Sequence, residues 1–135
     1  MGPFDASAAA GGSAPAPVIY VVDDSPDLAE MLEVVLQGAG FPARVFCEPR
    51  LAVEALRAAT SKPRLLVTDF QMPGMNGMEL IQSCRALHPE LKVISASGHP
   101  PDPQTAGYPS KPDRVLSKPY TTRQLLEFVK ELLAG

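Results

Sequence analysis

The 135-residue chain lacks three features that would place it in familiar classes of protein. It has no run of lysine and arginine, and its net charge of -3 is not that of a surface that binds nucleic acid. No apolar run approaches the length that spans a membrane. Its first residues have neither the basic nor the apolar region of a secretory signal. We therefore expect a cytoplasmic protein with no nucleic-acid or membrane partner.

Cysteine is also scarce. Cys47 and Cys84 lie far apart and form neither a CxxC motif nor a Cys/His metal motif. Both occur in apolar patterns, which predicts small, buried side chains in a reducing compartment. By contrast, the amino-terminal stretch is rich in Ala, Gly, Ser and Pro. This composition predicts a disordered tail or linker remnant over residues 1–17, and a folded domain over residues 18–135.

From Val18 onward, short apolar runs alternate with segments whose apolar residues recur at helical spacing. Ser25 with Pro26, and the Thr121-x-x-Gln124 box, are typical starts of helices. Strands that alternate with helices predict an α/β fold with a parallel sheet covered on both faces. The predicted strands are residues 18–22, 43–47, 64–68, 92–96 and 114–117.

Polar side chains stand at the ends of most of these strands: Asp23, Asp24, Asp69, Ser97 and Lys118. Right-handed crossovers bring the carboxyl ends of parallel strands to one edge, where ligands bind. Carboxylates that meet there raise one another's pKa unless a cation neutralises them, and oxygen ligands suit Mg²⁺. With a hydroxyl and an ammonium group added, the edge has the chemistry of a phosphoryl site. A simpler interpretation is that the acids cap helices and turns, and that the serine and lysine are ordinary surface residues.

Four stretches resemble the signature motifs of response regulator receiver domains. They are VVDDSP (21–26), VTDFQMPGMNGMEL (67–80), SASGH (95–99) and LSKPY (116–120). The resemblance covers residues 18–134, with the motifs in the family's order. It implies a flavodoxin-like, doubly wound sheet of five parallel strands in the order 2-1-3-4-5.

The resemblance implies that Asp69 accepts a phosphoryl group from a histidine kinase or a histidine phosphotransfer protein. Ser97 and Lys118 would contact the phosphoryl oxygens. The cofactor would be Mg²⁺, with Mn²⁺ as a substitute. Such a domain catalyses its own phosphorylation and dephosphorylation, is not a turnover enzyme, and signals through a surface read by a downstream protein that the sequence does not identify. The implied metal ligands are the carboxylates of Asp23, Asp24 and Asp69 and the backbone carbonyl of Gln71.

The chain departs from the family pattern in two places. Val115 occupies the position, three residues before the lysine, where the family usually has Tyr or Phe, so a switch by ring rotation is not expected. The stretch 98–113 contains five prolines, which predicts an irregular fourth helix with at most one short turn near residues 104–106. This stretch and LSKPYT are closest to receivers of hybrid histidine kinases. The family also implies a cis peptide bond between Lys118 and Pro119.

Three alternatives remain at this point. A degenerate receiver would act only as a protein-binding module. A phosphatase of the haloacid-dehalogenase type needs a second acid two residues after its aspartate, where this chain has Gln71. A flavodoxin-like cofactor binder would need a phosphate loop after the first strand, where the chain has the acidic DDSP.

Overall fold

The computed structural model of the chain describes residues 16–72, 74–98 and 111–134. The predicted turn near 104–106 and most of the predicted tail lie outside these ranges. Within them, none of the helices has the length and apolar content that crossing a membrane requires. The elements are β1 (Ile19–Val22), α1 (Pro26–Gly38), β2 (Ala43–Phe46), α2 (Pro49–Ala58), β3 (Leu65–Asp69), α3 (Gly77–Leu87), β4 (Lys92–Ser97), β5 (Arg114–Ser117) and α4 (Thr122–Leu133).

The five strands form one parallel sheet in the order β2-β1-β3-β4-β5. This is the predicted order 2-1-3-4-5, which is therefore confirmed. The register aligns the strands at their carboxyl ends, where Val22 pairs with Thr68 and Ser97 pairs with Ser117. All residues that directly follow these strands therefore start from the same edge of the sheet.

Alternation along the strands divides the core between the two faces of the sheet. Tyr20 and Val22 of β1 belong to a buried cluster with side chains of α2 and α3. Ile19 and Val21 belong to a second cluster with side chains of α1 and α4. Because both faces of the sheet are covered, its central strands β1 and β3 are nearly continuous apolar runs, as expected of a buried parallel sheet.

Two of the helices, α1 and α4, begin where the sequence predicts. The Ser25 hydroxyl caps α1 by accepting a backbone N–H bond, and Pro26 is the first helical residue. Thr121 and Gln124 form the predicted reciprocal capping box at the start of α4. A second box, made by Asn76 and Glu79, starts α3. It fixes the point at which the loop after β3 becomes a helix.

Candidate functional site

The loop after β1 places two carboxylates differently. Asp23 is buried, and its Oδ1 accepts a hydrogen bond from the Ser25 backbone N–H at 2.9 Å. Asp24, the next residue, is exposed. Burial raises the pKa of Asp23; the Ser25 hydrogen bond and Lys118 oppose the rise, while the charges of Asp69 and Asp24 add to it. The ionised form of Asp23 is therefore costly in the protein alone, which favours a bound cation nearby.

Asp69 is the last residue of β3, and the chain turns back sharply after it. The Phe70 N–H still bonds to the Ala96 carbonyl at 2.9 Å, whereas its own carbonyl accepts from the Gly77 N–H at 2.6 Å. A Cβ on Gly77 would lie 3.0 Å from the Phe70 Cα and 3.1 Å from the Asp69 carbonyl oxygen. Only glycine fits this approach without displacing the backbone that carries Asp69. The Thr68 hydroxyl also donates to the Asp69 carbonyl, at 2.9 Å.

The three acids meet at the edge, as the sequence predicts. One carboxylate oxygen from each of Asp23, Asp24 and Asp69 lies within 4.8 Å of the other two. Three hard oxygen donors at this separation fit a small divalent cation such as Mg²⁺. Gln71, whose backbone carbonyl completes the predicted ligand set, follows in the exposed part of the loop.

Lys118 joins this group from the end of β5. Its Nζ lies 2.7 Å from Oδ1 of Asp69, and its backbone N–H donates to the Ser97 carbonyl at 2.9 Å. The Lys118–Pro119 peptide bond is cis, as the family resemblance implies. Ser97 is buried at the end of β4. The structure thus brings the predicted acids and the predicted lysine together, with Ser97 linked to that lysine through the backbone.

Tyr120 is the last residue of the LSKPY motif, and the sequence gives it no role in the site. Its ring packs against the cluster on the α1 and α4 face. In addition, burial and the charges of Asp23 and Asp69 raise the pKa of its phenol. The signal in the sequence is its place two residues after Lys118.

The prediction for the cysteines is correct for Cys84 and wrong for Cys47. Cys84 is buried in α3, and burial raises the pKa of its thiol to about 12. Cys47 is exposed because β2 ends at Phe46, so that the next side chain belongs to the loop leading into α2. The apolar pattern in the sequence extends one residue beyond the strand.

Comparisons with known proteins agree with this geometry. The family model for the response regulator receiver domain matches residues 19–130. The DNA-binding response regulator MtrA of Mycolicibacterium smegmatis is 34% identical over 119 residues, covering 85% of this chain and 50% of that protein. The DNA-binding transcriptional regulator NtrC of Escherichia coli is 30% identical over 118 residues, covering 87% of this chain and 25% of that protein. The chain therefore spans half or less of the length of these relatives.

Solved structures show the same fold. A CheY-like receiver domain protein from Methanospirillum hungatei superposes with a TM-score of 0.79 at 23% identity, covering 89% of this chain and 95% of that chain. A response regulator receiver protein from Sinorhizobium medicae gives a TM-score of 0.76 at 27% identity, covering 89% of this chain and 96% of that chain. Both likenesses extend over almost all of the solved chains.

Proposed function

The chain belongs to the response regulator receiver domain family, the phosphoacceptor modules of two-component signalling, and from this premise we propose that Asp69 is its phosphoacceptor. The observation that carries the proposal is the meeting of the Asp23, Asp24 and Asp69 carboxylates within 4.8 Å. It is reinforced by the Lys118 ammonium group, 2.7 Å from Asp69. Retention of the whole set argues against a degenerate receiver that only binds a partner.

Among the three acids, Asp69 is the one suited to act as the nucleophile. Asp23 is buried and its Oδ1 accepts the Ser25 N–H bond. Asp24 is exposed in the loop that opens α1. Asp69 alone of the three is the last residue of a central strand and contacts the lysine. The residue after it, Phe70, is held by backbone bonds on both sides of the turn. The placement of Asp69 is therefore fixed by the sheet, as phosphoryl transfer requires.

The reaction proposed at Asp69 is a phosphoryl transfer from phosphohistidine. A carboxylate oxygen of Asp69 forms a bond to phosphorus while the P–N bond to the donor imidazole breaks. The imidazole leaves with the electron pair of that bond and takes up a proton. The product is an acyl phosphate on Asp69 and a neutral histidine on the donor.

Lys118 and Ser97 would stabilise the charge that the phosphoryl group brings. Lys118 already contacts a carboxylate oxygen of Asp69, so a short shift of its side chain would reach a phosphoryl oxygen. Its backbone N–H bond to Ser97 ties the ends of β4 and β5 together at this point. Positioned positive charge and hydrogen-bond donors of this kind are the main source of catalysis in phosphoryl transfer.

The donor set also fits the cofactor that receivers use. Asp23, Asp24, Asp69 and the backbone carbonyl of Gln71 would hold Mg²⁺, or Mn²⁺ in its place. A divalent cation there would neutralise the clustered carboxylates and allow an anionic donor to approach. Without a cation, Lys118 is the only basic group among the described residues that contacts Asp69.

The partners follow from the family. Receiver domains interact with histidine kinases or histidine phosphotransfer proteins, and we propose one of these as the donor here, with a downstream protein reading the phosphorylated surface. The named relatives are DNA-binding regulators, so the comparisons give no support to the expectation that no nucleic acid is involved. A cytoplasmic location, a domain spanning residues 18–135 and kinship with hybrid-kinase receivers stay predictions.

A small phosphodonor tests the proposal without the partner. The purified chain is incubated with phosphoramidate and Mg²⁺, and its intact mass is measured. We expect a gain of one phosphoryl group that disappears when a chelator replaces Mg²⁺ and in the Asp69→Asn variant. Undiminished labelling of that variant would refute the assignment of Asp69. Labelling that survives the chelator would refute the metal requirement.

A further inference from the structure

A cavity of about 560 Å³ lies beside the phosphoryl site and has no role in the function proposed above. It is formed by the loop after β2, the first residues of α2 and the loop before α3. Its volume falls in the range of about 300–1,000 Å³ that is usual for ligand pockets. Its wall includes Asp24, Cys47, Glu48, Pro49, Arg50 and Met75.

The charged groups on the rim of this cavity are largely paired with one another. The Arg50 guanidinium lies 3.3 Å from a carboxylate oxygen of Glu48 and 3.6 Å from one of Glu54. The remaining wall, Cys47 and Met75 with the ring of a proline, carries no formal charge. Among the described residues of the wall, an anionic occupant would find no unpaired cation. The one carboxylate outside the Glu48–Arg50 pair, that of Asp24, belongs to the acid cluster that would hold Mg²⁺. The cavity therefore suits an apolar group.

The cavity lies next to the phosphoacceptor, and this position indicates which molecule supplies the apolar group. Asp24 forms part of the cavity wall, and a carboxylate oxygen of Asp24 lies within 4.8 Å of one of Asp69. A protein that brings an imidazole to bonding distance of Asp69 must spread its surface over the adjoining loops, and hence over the mouth of the cavity. A small phosphodonor has no such surface.

We propose that this cavity receives an apolar side chain of the protein that delivers the phosphoryl group. The side chain would pack against Met75 and Cys47 and act as an anchor for docking next to Asp69. Anchors of this kind, buried in a pocket near the centre of an interface, carry much of the binding energy. The inference rests on the proposed function, because it takes Asp69 to be the point of transfer.

Cys47 makes it possible to block the cavity chemically. The Cys47 thiol is exposed, whereas Cys84 is buried with its pKa raised to about 12, so a bulky maleimide should react with Cys47 alone. The control carries the same maleimide at the opposite edge of the sheet, in a Cys47→Ser, Lys92→Cys variant, since Lys92 is exposed at the start of β4.

Two donors are then compared for each labelled protein. One is phosphoramidate, and the other is a histidine phosphotransfer protein carrying phosphohistidine, chosen from a panel because it phosphorylates the unlabelled chain. We expect blocking at Cys47 to lower the ratio of the protein-donor rate to the phosphoramidate rate by about tenfold or more, the effect of losing one anchor. The ratio should be unchanged in the Lys92→Cys control. An unchanged ratio in both proteins overturns the inference, whereas failure of phosphoramidate to label the unblocked chain overturns the proposed function itself.

Direct occupancy is measured with indole as the apolar probe. In protein with labelled methionine methyl groups, indole should shift the Met75 methyl resonance saturably and leave that of Met31, exposed on α1, in place. The absence of a saturable shift at Met75 would contradict an apolar cavity. Indole binding combined with an unchanged donor ratio would show a small-molecule site and would overturn docking of a protein side chain.

Discussion

The two edges of the sheet differ in charge balance: the described charges at the amino edge are paired, whereas those at the carboxyl edge include an excess of carboxylates. At the amino edge, the Arg85 guanidinium bonds to the carbonyls of Leu91 and Lys111 and lies 2.7 Å from Asp113. The same Asp113 oxygen accepts the Val93 N–H bond at 2.8 Å. Each of these two charges has a partner of opposite sign and further hydrogen bonds, and both side chains are largely buried. This edge joins α3 and the starts of β4 and β5.

At the carboxyl edge, the fold leaves charge uncompensated. Three carboxylates, those of Asp23, Asp24 and Asp69, face a single ammonium group, that of Lys118, which leaves two negative charges in excess among these four residues. Such an arrangement costs stability in the protein alone and is tolerated where chemistry needs it. The amino edge, where the charges are paired, thus contributes to folding, and the carboxyl edge contributes to function. Substitutions at the two edges should therefore have separable effects.

The largest expected effect is on phosphorylation at the carboxyl edge. Lys118→Ala removes the cation that contacts Asp69, and we expect the rate of phosphorylation by phosphoramidate to fall by about a hundredfold, as for loss of one charged or hydrogen-bonding group in a preorganised site. Lys130→Ala, which alters an exposed lysine of α4, is the matched control. A rate for the Lys118 variant close to that of the control would mean that the lysine has no part in the transfer.

The second prediction concerns stability at the amino edge. Arg85→Ala leaves Asp113 without its ion-pair partner and should lower the free energy of unfolding by about 2 kcal/mol. Urea denaturation measures this change, and Arg57→Ala, at an exposed residue of α2, serves as the control. Phosphorylation by phosphoramidate should persist under conditions where the variant is folded. Loss of phosphorylation from a folded Arg85 variant would show that the two edges are not separable.

The third prediction is a gain in stability at the carboxyl edge. Since the pKa of Asp23 is raised in the folded state, the folded protein binds more protons than the unfolded one between the two pKa values. Stability therefore falls as pH rises through that window, and the cost is fully present at neutral pH. Asp23→Asn removes the cost, so its melting temperature in chelator should exceed that of the wild type at pH 7.

Melting temperatures measured with added Mg²⁺ extend this third test. The wild type should gain melting temperature with added Mg²⁺ by mass action, and the Asp23→Asn variant should gain less, because it has lost one ligand charge. A control series below the ordinary pKa of aspartate, where the carboxyl is protonated in the folded and the unfolded protein, should show a smaller difference between the two proteins. A variant less stable than the wild type in chelator would contradict the account of this edge.

The smallest effect is expected from a substitution at Val115, which lies on β5 between the two edges. Val115 is 43% exposed, so Val115→Tyr should change the free energy of unfolding by no more than about 0.5 kcal/mol, the usual range for surface substitutions. Its rate of phosphorylation by phosphoramidate should match that of the wild type. A large change in either quantity would show that an aromatic ring at this position couples to the site even in this chain.

Most of the fold could be predicted because its elements are local patterns. The strands agree with the predicted runs to within one residue at each end, since both faces of the sheet are buried and the runs are nearly continuous. The meeting of the acids was also predictable, because parallel strands end at the same edge. The Arg85–Asp113 pair was not predictable, since its members lie 28 residues apart and their contact depends on how α3 packs. The exposure of Cys47 and the cavity beside it likewise depend on where one strand ends and how two loops approach.

Reduction of the phosphorylated chain with borohydride shows directly whether Asp69 is the residue that carries the phosphoryl group. Borohydride converts an aspartyl phosphate to homoserine, which peptide mass spectrometry then locates in the sequence. We expect homoserine at position 69 after treatment with phosphoramidate and Mg²⁺, and unmodified aspartate at Asp23 and Asp24. Homoserine at either of those positions, or a phosphoryl group that resists borohydride and maps to Ser97, would contradict it.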